Sequence, residues 1–364
     1  MFPIQPVGWQ HYLAFKSIKN KKNLVHYFYL SWEDALWDLI KYSSYKEGAI
    51  VLIPDFYCVD VVKNIEEHGL KCVVYPVDRN FQTSTTIFYQ FLKRYQPKIV
   101  IIFHAVGITN QLIDQFKDWQ SVLPKDCLLI EDSVHRLVEP NKLEFLTDRQ
   151  VVIDSLRKVV PIQGSNLYGT SFLKNLKQTK NFSTFSYRFK VVYWWIILQT
   201  CLSLAGVLPI KNWQIFWNLL AERAMLVGYD VIGDSKLSGH GFIFFELLSK
   251  YINFELIAKT KVEQVNKYEV LLKSLWQSPR VFKIKIDYSD YGKLRALPIG
   301  LELETATKIL NQLRANGLLV RFELDNFGWT KKQKVIYLPL GPHVTDKDIV
   351  FISKTLTEVI RITT

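Results

Sequence analysis

The sequence predicts an α/β protein: a large, mostly parallel sheet covered on both faces by helices, followed by a smaller C-terminal α+β unit. Three observations lead there. Short β-rich runs alternate with helical stretches through the first 170 residues. Those runs are apolar on both faces, as strands covered on each side are. Beyond about residue 281 strands and helices recur within a much shorter span. These patterns divide the chain into a large domain over 1–250, with an apolar insertion at about 183–228, and a small domain over 251–364.

The β-rich runs are AIVLI (49–53), KCVVY (71–75), KIVIIF (98–103), CLLI (127–130) and VVI (151–153). Between the first four lie helical stretches. In 32–42, Ala35, Leu36, Leu39 and Ile40 recur at helical spacing behind Ser31, whose hydroxyl suits an N-cap. Another helix stops at His68-Gly69. Toward the C-terminus KIKI (283–286) reads as a strand, 303–316 as a helix ending at Asn316-Gly317, and VIYLPL (335–340) as a strand. Thr345 caps a last helix with Asp346 and Asp348 in its first turn, the end that favours acids.

With 49% hydrophobic residues the chain can bury a large core, which excludes disorder. Forty-six basic against 34 acidic residues leave a formal charge of +12, which favours anionic partners: nucleotide-linked substrates, a membrane surface or nucleic acid. The basic run 16–22 (KSIKNKK) comes with no nucleic-acid-binding module and reads as a solvated loop, so no nucleic acid is expected. Cys58, Cys72, Cys127 and Cys201 lack CxxC spacing and a histidine cluster, so no metal site is expected. Free cysteines and the lack of a signal-peptide pattern point to the cytoplasm. Neither a dinucleotide fingerprint nor a P-loop is present.

In mostly parallel sheets ligands bind beyond the carboxyl ends of the strands. The residues there are Pro54 to Tyr57, Phe103-His104, Glu131 to His135, and Asp154 to Lys158. Alone, Lys158 in IDSLRKVVPIQG is either surface charge or an amine at a pocket edge, able to attack a carbonyl. Asp132 alone is a strand-end residue. His135 three residues on, and Lys158 26 residues on, make a constellation of them. His104 is either a satisfied, half-buried histidine or a substrate contact, and Arg157 either binds an acidic substrate group or faces solvent.

The order IPDFYCVDVVKNI, IIFHAVG, LLIEDSVHRL, DSLRKVVPIQG, INFELIAKTKVEQVNKYEVLL and YLPLGPHVTDKDI resembles the DegT-type family of sugar aminotransferases, fold type I enzymes that use pyridoxal 5'-phosphate (PLP). The resemblance runs from about residue 28 to the C-terminus with a gap around 183–235. It implies that Asp132 pairs with the pyridine nitrogen of PLP, that His135 lies beside the ring oxygen, and that Lys158 forms the Schiff base and later moves the proton. It implies a phosphate-binding role for Ser155, and for Tyr57 or Cys58 the place where an aromatic ring stacks on the cofactor. Ser31 opens the turn that in the family reads Ser-Gly-Thr and cradles the phosphate. Here that turn is Ser31-Trp32-Glu33; Trp32 lacks glycine's close backbone approach, and Glu33 brings negative charge toward a phosphate. The implied activity is transamination of a keto-sugar, usually nucleotide-linked, with an amino-acid donor, in a homodimer whose active sites lie at the subunit interface. The departures at Trp32 and Glu33 keep open a second reading, a catalytically degenerate relative acting as a binding or membrane-surface scaffold.

The run 191–210, VVYWWIILQTCLSLAGVLPI, has no charge over 20 residues and fits a membrane span in length. Gln199, Thr200, Ser203 and Pro209 lower its hydrophobicity, and a span would cut one enzyme in two. A helix pair packed in the core or on a partner, or one lying in the membrane interface through 189–220, are the readings that remain.

Overall fold

The computed structural model describes residues 5–14, 24–178, 184–207, 211–233, 239–324 and 328–363. The basic run 16–22 and Pro209 lie outside the described residues. Ten strands are described: β1 (Val25–Tyr29), β2 (Ile50–Pro54), β3 (Lys71–Tyr75), β4 (Ile99–Phe103), β5 (Leu128–Ser133), β6 (Gln150–Asp154), β7 (Ser165–Gly169), β8 (Val281–Lys283), β9 (Ala296–Glu302) and β10 (Gln333–Pro339). The first seven form one sheet in the order β1-β7-β6-β5-β4-β2-β3, and the last three an antiparallel sheet in the order β10-β9-β8. From β3 to β6 all pairings are parallel; β7 runs antiparallel to both β6 and β1.

All five expected strands of the large sheet are present, within a residue or two of their ends except at β5, which continues to Ser133. Two were not expected. β1 reads VHYFY and β7 reads SNLYG, and neither is an apolar run. β1 is the edge strand and β7, buried throughout, lies between it and β6, with its polar side chains hydrogen-bonded. His26 meets Asn166 there at 2.8 Å.

The expected caps are in place. Ser31 accepts the Asp34 N–H at 3.2 Å and starts the helix Trp32–Ser43. Gly69 takes φ +78°, ending the helix before β3. Thr345 and Asp348 cap each other's backbone at the start of Asp346–Thr363. The expected strand at 283–286 is displaced: β8 occupies Val281–Lys283. A run of alternating Lys and Ile fits either register, and only pairing of Val281 with Leu301 and Lys283 with Ile299 chooses one. The main core is continuous, taking in Ile101 and Ile153 of the large sheet together with Ile299 and Ile336 of the small one.

The apolar run is a helical hairpin, Thr184–Val207 and Lys211–Gly233, packed through Leu198, Cys201, Leu202, Ala221 and Ala224. Asp34 fastens both of its ends to the first turn of helix Trp32–Ser43. Its carboxylate accepts the Tyr187 hydroxyl at 3.2 Å and the Gly239 N–H at 2.7 Å.

Candidate active site

Strand alternation decides which end-of-strand residues meet. On β5, Asp132 points to one face of the sheet while Glu131 and Ser133 point to the other. Asp132, His135, Lys158, Ser155, Tyr57 and Cys58 all line one cavity at the carboxyl edge, together with Trp32, Glu33, Phe103 and Arg157. Seven expected residues, Arg157 among them, are thus brought together from three separate stretches of chain.

Lys158 sits in the 3-10 turn Leu156–Lys158, in a loop closed by the Leu156 N–H to the Gly164 carbonyl at 2.9 Å. Gln163 pins the loop by donating to the Leu30 carbonyl at 2.8 Å. Gly164 is required at φ +151°, because a Cβ there would come within 2.2 Å of the Phe28 ring. Burial lowers the Lys158 pKa, Arg295 and Arg157 add to this, and Tyr229 and Cys58 oppose it. The amine therefore reaches its free-base form more readily than a solvated lysine does. Burial likewise raises the Cys58 thiol.

Asp132 is almost fully buried, and burial pushes its carboxyl up to about 7. The Tyr57 hydroxyl donates to it at 2.7 Å and the Val134 N–H at 3.1 Å; these bonds and Lys158 limit the rise. Tyr57 thus holds the carboxylate. Its own ring meets Phe103 edge-on, with centroids 5.5 Å apart. His135 is fully enclosed, and burial followed by Lys158, Arg295 and Arg321 pulls it well below the ordinary range, so it is neutral. Arg295 Nη1 lies 2.9 Å from its Nε2; a guanidinium only donates, so Nε2 accepts.

Two expected residues are corrected. Ser31 does not line the cavity: its hydroxyl donates to the Asp34 carboxylate at 2.7 Å and accepts the Asp34 N–H, so the helix cap uses it. His104 lies on the opposite face, with no access to solvent, bonded to Glu131 at 2.8 Å and accepting the Asn110 N–H at 3.0 Å. Burial lowers His104, while His104, Arg136 and Gln150 outweigh burial to hold Glu131 below its ordinary range. A larger cavity of about 620 Å³ opens on that side, lined by Glu131, Ser133, Arg136 and Asp290, without the lysine. Replacing His104 by Leu should therefore destabilise the fold by about 1–3 kcal/mol, leaving the Asn110 N–H unpaired and Glu131 with only Gln150 and Arg136. Urea denaturation alongside cofactor titration checks this; altered cofactor affinity at unchanged stability would return His104 to the site.

Sequence reasoning missed the cationic side of the site. Arg295 is 3% exposed and 3.6 Å from Glu323, and Arg321 is 3.4 Å from the same carboxylate. Val106, at the strained φ of +61°, offers its carbonyl to the Arg295 N–H at 2.7 Å and sets where that side chain begins. Tyr229, on the hairpin, lies under Arg157 at 4.5 Å. Burial would raise its phenol, yet Arg157, Lys158, Arg295 and Arg321 together bring it down to about 8. Tyr229, Arg295 and Arg321 lie 71, 137 and 163 positions from Lys158, and no local pattern links them.

The donor set suits PLP at two of its three ends. Asp132, held by two donors and uncomfortable in burial, suits a protonated ring nitrogen, and Lys158 suits an aldehyde carbon. At the phosphate end Ser155 and the unpartnered indole N–H of Trp32 share the cavity with Glu33. The open space, about 50 Å³, is small for a ligand pocket, with Trp32 forming one wall.

No protein-family model and no curated protein sequence matches the chain. Solved structures do. Spr1654 of Streptococcus pneumoniae, described as a sugar aminotransferase and solved in its PMP form, matches with a TM-score of 0.60 at 13% identity, over 93% of this chain and 88% of its own. PseC of Helicobacter pylori, an aminotransferase of pseudaminic acid biosynthesis, matches at 0.60 and 10% identity over 93% and 87%. DesV of S. venezuelae matches at 0.59 and 9% over 92% and 84%. The chain has the fold of these aminotransferases. The mostly parallel large sheet is the architecture that the sequence resemblance implied; the antiparallel β7 was not foreseen.

Proposed function

We propose that the chain is a PLP-dependent aminotransferase acting on a keto-sugar carried on a diphosphate, in polysaccharide or glycoconjugate biosynthesis. The observation that carries this reading is the pairing of buried Asp132 with Lys158 across one cavity, at the strand ends of a fold shared with sugar aminotransferases. Bound PLP would supply the electron sink that lets a proton leave the carbon beside the nitrogen. Asp132 would keep the ring nitrogen protonated, and the burial that raises its carboxyl would favour a cation beside the carboxylate. Neutral His135, fixed by Arg295, would orient the ring. Lys158, with its lowered pKa, would bond the aldehyde carbon at rest and take and return the proton when free. Ser155 would face the phosphate.

In this reading residues 1–250 bind the cofactor, residues 251–364 close over it, and two copies form a dimer. The protein works in the cytoplasm with an amino-acid donor, and 189–220 touches the inner face of the membrane. The test is titration of the purified protein with PLP. A saturable visible band that borohydride bleaches supports the proposal, and amino-donor screening then follows. Trp32 and Glu33 in the cavity wall favour one rival, a fold relative that no longer binds PLP. No band at saturating PLP in the wild type, with one appearing in Trp32→Gly, would establish that rival.

A further inference from the structure

The helical hairpin performs none of the chemistry above, yet its inner side walls the cationic end of the site. One recess is lined by Leu198, Leu202, Ala221 and Met225 on the apolar side and by Arg295 and Arg321 on the polar side. A second shares Leu198 and Met225 and is bounded by Trp194, Trp195, Tyr229 and Arg157. Arg157 also lines the Lys158 cavity, so the apolar recesses adjoin it. Three arginines and Lys158 meet there against Glu323, since Glu222 is taken by Arg314 at 3.0 Å. The Nε atoms of Arg157 and of nearly fully buried Arg295 have no partner. Such a cluster calls for an anionic ligand group, and the apolar walls beside it for hydrocarbon.

The hairpin's outer side is unusually apolar for a protein surface. Phe189, Tyr193 and Ile196 on the first helix are 49–61% exposed, and Trp213, Phe216 and Leu219 on the second 46–52%. Ser186–Val207 is long and apolar enough to cross a membrane. Its other face, however, is committed to protein through Val191, Trp195 and Leu198, and Gln199 donates to the Pro6 carbonyl at 3.1 Å. Lipid cannot surround such a helix; it can only meet one side. Lys190 stands exposed near its start, aromatic rings cover the exposed stripe, and the chain carries +12 overall. An anionic bilayer complements the net positive charge beside this apolar face.

We propose that the outer face lies in the surface of an anionic bilayer and that the carbonyl substrate is itself a membrane-borne amphiphile. Its phosphate-bearing head pairs with Arg157, Arg295 and Arg321, and its hydrocarbon part enters along Leu198, Leu202 and Met225. The proposal rests on the aminotransferase reading for the reaction at the carbonyl, but both of its binding claims can be read without PLP.

The first arm is co-sedimentation of the full chain with vesicles of phosphatidylglycerol and phosphatidylcholine in equal parts, or of phosphatidylcholine alone. Binding to the anionic vesicles is expected, with at least about tenfold loss in the combined variant Tyr193→Ser, Ile196→Ser, Phe216→Ser. The second arm uses farnesyl diphosphate, UDP and inorganic diphosphate as probes, read by quenching of tryptophan fluorescence. Farnesyl diphosphate should bind about tenfold tighter than either other probe and about tenfold weaker in Arg321→Gln. The combined surface variant should keep farnesyl diphosphate binding, which shows that it is folded. UDP binding as tightly as farnesyl diphosphate would overturn the substrate class. Failure to bind anionic vesicles, or a dimer by light scattering that the surface variant abolishes, would overturn the bilayer. If farnesyl diphosphate binds while PLP gives no band, the aminotransferase reading alone fails.

Discussion

Lys158→Ala is expected to abolish both the PLP absorbance band and turnover, the latter by at least about 10³-fold, since the one amine serves as both nucleophile and proton carrier. Lys158→Arg separates charge from chemistry: it preserves a cation in the cavity but offers no free amine near neutral pH, so the band should be lost in that variant as well. A second readout needs neither cofactor nor substrate. Burial opposes ionisation of Tyr229, and Lys158 is one of four cations that overcome it to bring the phenol to about 8. Removing the lysine should move tyrosinate formation, followed by ultraviolet difference absorbance, to higher pH, while Lys158→Arg should leave it in place. A full band in the alanine variant would assign the cofactor to another lysine. An unmoved phenol would place Lys158 away from Tyr229.

Asp132→Asn should lower turnover by about 10²–10³-fold while stabilising the protein without cofactor. The carboxyl titrates near 3.8 in the unfolded chain and about 7 in the folded one, so between those values the folded state binds the extra proton. Stability from this group is fully present below pH 3.8 and is lost as pH rises through 7, a change of about 4 kcal/mol. Asparagine keeps an oxygen to accept from Tyr57 and the Val134 N–H but carries no charge. The variant's midpoint of urea denaturation should therefore change less between pH 5 and pH 8 than the wild type's, and should exceed it at pH 8. Saturating PLP should reverse the order at pH 8, because the cofactor's ring cation stabilises the native carboxylate and does nothing for asparagine. Equal pH dependence in the two proteins would show that Asp132 is solvated in the folded state.

How much of this was legible depends on distance along the chain. The five inner strands were visible because strands covered on both faces must be apolar throughout, and the Ser31, Gly69 and Thr345 caps because they are local hydrogen-bond or backbone requirements. β1 and β7 were not visible: VHYFY and SNLYG mix polar and apolar residues, and only their pairing at the sheet edge makes them strands. Ser31 illustrates the limit of carrying a role over by position. The same hydroxyl that a phosphate turn would use is taken by Asp34, a residue that also bonds Tyr187 on the hairpin and Gly239 beyond its end. His104 follows Phe103 at the end of a strand, as a site residue would, but turns to the face where Glu131 awaits it.

The sequence by itself determined the sheet's inner strands and the caps, and it placed Asp132, His135 and Lys158 near the carboxyl ends of those strands. Only the tertiary structure decided that Arg295 and Arg321 turn toward that trio, that Tyr229 shields it, and that the apolar run is a hairpin against the site. The reason is physical: those side chains are placed by contacts between segments far apart in sequence, and such contacts leave no periodic trace in any one of them.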